Sequence, residues 1–85
     1  MIMRMPHEVA THDTIAANVR AEVARAQVTQ TDLGEALGLT QTQVSRRLAG
    51  HVEFGATELA VLADYLGVAV STFYAGTRAD EPVAP

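Results

Sequence analysis

The feature that most constrains this chain is a glycine, Gly38, between two short amphipathic segments at residues 30–37 and 41–49. A threonine stands before each segment, Thr29 and Thr40, where its hydroxyl can accept from the free backbone N–H groups of a helix start. Glycine readily adopts the left-handed backbone conformation that ends many helices. The sequence therefore predicts two helices that are joined by a tight turn at Gly38.

The two faces of the segment at 41–49 differ in character. Around a helix, Leu48 lies about 40° from Val44, so both side chains are predicted to point into the core. The opposite face, about 100° to 200° from Val44, carries Thr42, Ser45, Arg46 and Ala49. In the segment at 30–37, Gly34 allows a neighbouring helix to come close. The apolar residues that this segment would bury are Leu33, Ala36 and Leu37.

Helical periodicity also flanks this pair of segments. A first helix is predicted at about residues 13–27, with a core face made of Ile15, Val19, Val23 and Ala26. A fourth helix is predicted at about residues 56–66, and it would bury Leu59, Ala60, Leu62, Ala63 and Leu66. A short fifth helix at residues 72–75 would bring Phe73 and Tyr74 to the core. The patterns together predict an all-α domain of five helices at residues 13–76.

Length and composition limit the remaining possibilities. With 85 residues and 48% hydrophobic content, the chain can build one small core. We expect a flexible arm at residues 1–12 and a disordered tail at residues 77–85. The absence of cysteine excludes a disulfide framework and a thiolate metal site. Because no apolar run reaches the roughly 18 residues of a membrane span or forms a signal peptide, we expect a cytoplasmic protein without a membrane partner.

The sequence predicts no catalytic or metal centre. His7-Glu8 and His12 look at first like a zinc motif. In that motif the two histidines are four residues apart on one helix face, whereas here they are five apart and diverge by about 140°. No nucleophile stands beside a base, and carboxylates do not cluster on a recognisable scaffold. We therefore predict no catalytic residue, no metal, no cofactor and no small-molecule substrate.

Several short motifs occur along residues 14–76 in a characteristic order and spacing. They are Val28-Thr29-Gln30 with Leu33-Gly34, Leu37-Gly38-Leu39-Thr40 with Val44-Ser45-Arg46, Gly50, and Leu59-x-x-Leu62-Ala63-x-x-Leu66-Gly67-Val68. This arrangement resembles the Cro/CI-type (Xre-like) helix-turn-helix family of phage and bacterial transcriptional regulators. The resemblance implies a compact five-helix, lambda-repressor-like DNA-binding domain with the helix-turn-helix at the second and third helices. It also implies a homodimer, at least on DNA, that lays the third helix into successive major grooves of a two-fold operator.

The resemblance assigns roles to single residues. The base-reading positions of the family fall on Gln41, Thr42, Gln43 and Arg46, whose side chains can pair with base edges in the major groove. The phosphate-binding positions at the start of the second helix fall on Thr29 and Gln30. Further phosphate candidates are Arg47, His51 and Thr57. The implied partner is double-stranded operator DNA.

Some positions depart from the family pattern. Many members pair a buried acid at the position of Leu48 with an arginine at the position of Val23, and here both residues are aliphatic. An apolar pair can replace a buried ion pair at little cost in stability. Arg47 occupies a position that is usually apolar, and we expect its stem to pack while its head reaches a phosphate. Glu53 and Phe54 stand where some members carry basic loop residues, which leaves fewer cations for the DNA backbone.

The net charge of −4 argues against nucleic acid as the partner. Residues 40–55 nevertheless hold two arginines and one acid, net +1, while the remaining four arginines and nine acids sum to −5. The local field favours docking through residues 40–55, and two copies acting together would compensate for weak attraction to phosphate. The sequence thus favours a small Cro-like regulator or repressor, or the DNA-binding antitoxin of a toxin pair. The alternative is a protein-interaction module on the same fold, such as a partner-binding antitoxin or anti-repressor.

Overall fold

The computed structural model describes residues 7–77, with side chains from residue 11 onward. Within that range the chain forms four α-helices and one 3₁₀ helix, and no strand. The helices are α1 (His7–Ala26), α2 (Gln30–Leu37), α3 (Gln41–Leu48), α4 (Ala56–Leu66) and a 3₁₀ helix at Val70–Tyr74. The all-α prediction and the helix pair around Gly38 are confirmed. No helix in the described range is long and apolar enough to cross a membrane.

The first helix begins earlier than its apolar pattern indicates. α1 starts at His7, whereas periodicity placed its start at Asp13 or Thr14 and assigned residues 1–12 to a loose arm. An established helix gains one backbone hydrogen bond for each residue added, so polar residues can extend it without contributing to the core. The remainder of the predicted arm, residues 1–6, lies outside the described residues.

The C-terminal part of the fold also differs from the prediction. The fifth helix is a single 3₁₀ helix at Val70–Tyr74 rather than an α-helix at residues 72–75, which corrects the count of five α-helices. Asn18 of α1 donates through Nδ2 to the carbonyls of Phe73 and Ala75 at 2.9 and 2.8 Å, and so holds this segment against α1. Thr77, predicted as part of the tail, is buried and its hydroxyl donates to the Tyr74 carbonyl. Residues 78–85 lie outside the described residues.

The centre of the core receives one large side chain from each helical element. Each of these five side chains is less than 2% exposed: Val19, Leu33, Val44, Leu62 and Phe73. Leu48 is buried beside them at 7% exposure and Val23 at 9%, so the aliphatic pair that replaces the expected ion pair does belong to the core. The prediction that Val44 and Leu48 face inward is confirmed.

The buried faces of α1 and α4 contain most of the predicted residues but differ from the prediction at some positions. Ala16 is 1% exposed, whereas Ile15 is only partly buried and Ala26 is exposed. α1 packs against both α3 and the 3₁₀ helix, so its buried stripe follows the i, i+3, i+7 spacing of Ala16, Val19 and Val23. On α4, Ala60 is exposed, and the buried face consists of Leu59, Leu62 and Ala63.

The turn between α2 and α3 depends on a close approach at Gly34. A Cβ atom at this position would lie 2.6 Å from the carbonyl oxygen of Leu39, well inside van der Waals contact. The Leu39 N–H donates to the Gly34 carbonyl at 2.9 Å, and Gly38 has a left-handed φ of 70°. The prediction of a close approach at Gly34 is confirmed, with the backbone of the turn as the neighbour instead of a helix.

We expect Gly34→Ala to destabilise the domain. Alanine normally favours a helix over glycine by about 1 kcal/mol. Here the new methyl group would press on the Leu39 carbonyl, and overpacking of this kind costs about 1–3 kcal/mol. Chemical denaturation should show a lower free energy of unfolding for Gly34→Ala, while Glu35→Ala at the exposed neighbour should change it by less than about 0.5 kcal/mol. A more stable Gly34→Ala variant would contradict the close approach.

We expect Val44→Asp to abolish cooperative folding. Val44 is 1% exposed, and a carboxylate at its position would be buried without a partner. The desolvation cost is several kcal/mol, comparable with the roughly 5–15 kcal/mol that stabilise a whole domain. Thermal unfolding followed by circular dichroism should lose its cooperative transition, whereas Ser45→Asp on the exposed side should retain it. A cooperative transition in Val44→Asp would show that the faces of α3 are wrongly assigned.

Candidate nucleic-acid interface

The starts of α2 and α3 are fixed by the same hydrogen-bonding device. The Thr40 hydroxyl accepts from the Gln43 N–H at 3.1 Å, and the Gln43 Oε1 atom accepts from the Thr40 N–H at 2.9 Å. At α2, Thr29 and Asp32 make the equivalent pair at 3.0 and 3.1 Å. These reciprocal capping boxes satisfy backbone donors that a helix start otherwise leaves free. Both helices therefore begin at well-defined positions on either side of the turn.

The C-terminal end of α3 is held by backbone and side-chain bonds. Gly50 has a left-handed φ of 85°, and the following residue, His51, donates its N–H to the Arg46 carbonyl at 2.9 Å. Arg20 of α1 donates through Nη1 to the Leu48 carbonyl. A cation at this end also interacts favourably with the helix dipole. α3 is thus anchored to α1 at its end, as well as capped at its start.

Arg47 joins α3 to α4. Its Nε atom donates to the Glu58 Oε1 atom at 2.9 Å, and its Nη1 atom donates to the Gln43 carbonyl at 3.2 Å. The same Glu58 oxygen accepts from the Gly55 N–H at the start of α4 at 3.0 Å. The Arg47 stem is largely covered, as expected, and its head binds a carboxylate of α4. The predicted contact of Arg47 with a phosphate stays a prediction. The first turn of α4 brings a carboxylate within reach, so the guanidinium is engaged inside the protein.

The exposed side of α3 carries all four predicted base-reading residues. Gln41, Thr42, Gln43 and Arg46 are exposed, together with Ser45, while Val44 and Leu48 are buried. The four residues are not equivalent, because the side-chain oxygen of Gln43 is already used in the capping box. α3 therefore offers solvent two hydroxyls, two amide groups and a guanidinium from a helix that is fixed at both ends.

The arginines in the described range differ in whether they have a partner. Arg20 binds a carbonyl and Arg47 pairs with Glu58. Arg25 pairs with Glu22 at 2.6 Å on α1, and this hydrogen bond lowers the pKa of the Glu22 carboxyl and raises the pKa of the Arg25 guanidinium. Arg46 is exposed, and no carboxylate among residues 11–77 forms an ion pair with it. Its charge is available to a ligand.

The predicted phosphate contacts lie at three places in the fold. Thr29 and Gln30 stand at the start of α2, the first exposed and the second partly buried. His51 is exposed directly after α3. Thr57 is exposed at the start of α4, where the Glu58 carboxylate already accepts a backbone N–H. The start of α2 is equivalent in this respect, because the Asp32 carboxylate accepts the Thr29 N–H there.

Most of the side-chain contacts that hold α3 and the 3₁₀ helix in place were not predicted from the sequence. The spacing of Gly55 and Glu58 is that of a helix start with an acid at its third position, so Glu58 could have been found as a cap. Its pairing with Arg47 could not, because the two residues are 11 positions apart on different helices. Arg20 and Asn18 contact carbonyls 28 and 55 positions away, and no local pattern indicates such bonds.

Comparison with known proteins agrees with this geometry. A family model described as helix-turn-helix matches residues 19–73, more than half of the 85 residues. The chain is similar to the crystal structure of a hypothetical transcription factor, NHTF, from Neisseria, with a TM-score of 0.71 and 21% sequence identity over 94% of this chain and 91% of that chain. At this identity the likeness concerns the fold, and no curated protein matches the sequence. The chain belongs to the helix-turn-helix family of DNA-binding proteins.

Proposed function

We propose that this protein is a small Cro-like transcriptional repressor that reads double-stranded DNA with α3 in the major groove. The observation that carries the proposal is the exposed Arg46 guanidinium, which no carboxylate in the described residues neutralises. A guanidinium pairs bidentately with guanine, and the neighbouring Gln41 and Thr42 can pair with adenine or contact a thymine methyl group. Both neighbours are exposed on the same helix.

Contacts to the DNA backbone would position α3 in the groove. Thr29 and Gln30 stand at the positive end of the α2 dipole, where a phosphate is favourably bound. The Thr29 hydroxyl oxygen accepts from the Asp32 backbone N–H, which leaves the hydroxyl proton free to donate to a phosphate. His51 and Thr57 extend this set. Arg47 contributes through donors of its guanidinium that the Glu58 and Gln43 contacts leave free.

Two copies are needed for tight binding. Affinity for DNA grows with the number of phosphates that cations neutralise. The whole chain carries a net charge of −4, and Arg46 is the one arginine of residues 11–77 without a protein partner. A single copy therefore gains little from phosphate attraction. A dimer on a two-fold operator doubles the contacts and places one α3 in each of two successive major grooves.

A groove between α2 and α4 favours a second candidate, a protein-interaction module on the same fold. The groove has a volume of about 390 Å³ and is lined by Asp32, Glu35, Ala36, Val61, Asp64 and Tyr65. Tyr65 is 46% exposed and Val61 37%, and three acidic residues line the same groove. A partner-binding antitoxin or anti-repressor would use such a surface for a basic segment with an apolar anchor. DNA binding remains the leading proposal because α3 presents an unpaired cation.

Selection of bound sequences from a random duplex library tests the proposal directly. We expect a palindromic site to be enriched at low salt, with weaker enrichment at higher salt because counterions compete for the phosphates. Two half-sites one helical turn apart would support both sequence-specific and dimeric binding. If no sequence is enriched even at low salt, the proposal that the protein reads DNA is wrong, and the protein-interaction alternative takes its place.

We expect Arg46→Ala to abolish protection of the selected operator at concentrations where the wild type protects it fully. Loss of a bidentate contact to guanine costs about 1–3 kcal/mol of binding free energy. Footprinting on the operator measures this loss. Arg25→Ala is the matched control, because it removes the same charge from α1 and should leave the footprint nearly intact. An unchanged footprint for Arg46→Ala would remove this residue from the base-reading set.

We expect Gln30→Ala to weaken binding to all DNA sequences by a similar factor. A phosphate contact carries no sequence information, so its loss should lower affinity for the operator and for an unrelated duplex alike. Equilibrium titrations of the two duplexes at one salt concentration give this comparison. A loss confined to the operator, or to a single base position within it, would instead assign Gln30 to base reading.

A further inference from the structure

We infer that Gln43 reads DNA chiefly through its NH₂ donor and therefore favours guanine or thymine over adenine. The inference rests on the proposed function and names a specificity that the family resemblance does not assign. It distinguishes Gln43 from Gln41, although both are exposed glutamines on α3.

The capping box fixes the orientation of the Gln43 amide. The Thr40 N–H is a donor, so the side-chain atom that lies 2.9 Å from it must be the carbonyl oxygen, Oε1. The NH₂ group is consequently the end of the amide that is left to a ligand. The backbone of Gln43 is held as well, because its carbonyl accepts from Arg47, whose guanidinium is bound to Glu58. The side chain is thus oriented before any DNA is bound.

This orientation disfavours the usual pairing of glutamine with adenine. In that pair the amide oxygen accepts from adenine N6 while the amide nitrogen donates to N7. Oε1 of Gln43 already accepts from the Thr40 N–H, so the adenine pair would require this oxygen to accept a second hydrogen bond at the same time. Guanine presents two acceptors, O6 and N7, and thymine presents O4, whereas adenine places its N6 amino donor beside N7 and cytosine presents an amino donor. An amide that offers chiefly its NH₂ group therefore favours guanine or thymine.

Gln41 has no comparable restriction. Among the described residues its side chain makes no hydrogen bond that would occupy the amide, and it lies at the first position of α3, outside the capping box. It keeps both the oxygen and the NH₂ group for a bidentate contact with adenine. One helix would thus use two glutamines to read different bases, and the difference comes from the hydrogen bond to Thr40.

The variant that tests the inference is Gln43→Glu. Glutamate keeps an oxygen for the Thr40 N–H, and an acid at this position also suits the helix dipole, so the thermal melting temperature should not fall. The donor, however, is replaced by an acceptor. Selection from a random duplex library should show one base pair in each half-site where the wild-type preference for guanine or thymine changes to cytosine, whose N4 group donates. At that base pair, we expect the preference for cytosine over guanine or thymine to rise about tenfold or more relative to the wild type.

Two further variants control for structure and position. Gln43→Met, similar in length but without donor or acceptor, should lower the melting temperature and lose the guanine or thymine preference without gaining cytosine. Gln41→Glu makes the same chemical change outside the capping box, and it should alter a different base pair, where the wild type prefers adenine. Because these are preferences within one library, a general loss of affinity from the added charge does not affect them.

The inference is overturned if the wild type prefers adenine at the base pair that responds to Gln43→Glu. It is also overturned if the wild type enriches an operator in which no base pair responds to that change. A wild type that enriches no operator gives a different result, because it overturns the proposed function and this inference with it.

Discussion

The geometry of α3 depends on the close approach of the Leu39 carbonyl to Gly34. Because position 34 has no side chain, the chain turns back directly after α2, and the Leu39 N–H bonds to the Gly34 carbonyl. The rotation of α3 about its axis follows from this turn and from the seating of Val44 in the core. The same rotation presents Arg46 to solvent. The turn and the seating of Val44 thus determine together the buried and the exposed face of α3.

The polar contacts of α3 make it a rigid platform. Arg20 fixes its end to α1, and the pair of Arg47 with Glu58 fixes its middle to the start of α4. Exposed ion pairs usually contribute little to stability. The side chains of this pair are mostly covered, and the Glu58 carboxylate also accepts from the Gly55 N–H. The pair therefore connects α3 to α4 and to the residue before α4. The backbone of a helix held in this way has little entropy left to lose on binding.

Among residues 11–77 of this acidic chain, the unpaired arginine charge lies on α3. The arginines that hold the structure together are engaged by carbonyls or carboxylates, and Arg46 keeps its full charge on the exposed side of α3. Under the proposed function, selectivity would come from hydrogen bonds to base edges more than from phosphate attraction. The aliphatic Val23 and Leu48 fit this distribution, because they replace a buried ion pair without using a cation.

The sequence by itself determined the features that depend on residues three or four positions apart. The bounds of α2, the start of α3, the turn at Gly38 and the burial of Val44 follow from caps and helical periodicity. Local pattern could not show that α1 buries Ala16 rather than Ile15, since that depends on which neighbours pack against it. The engagement of Arg47 likewise required the position of Glu58 in space. Only the tertiary structure decided these points, because periodicity reports a helix's own faces and says nothing about what lies opposite them.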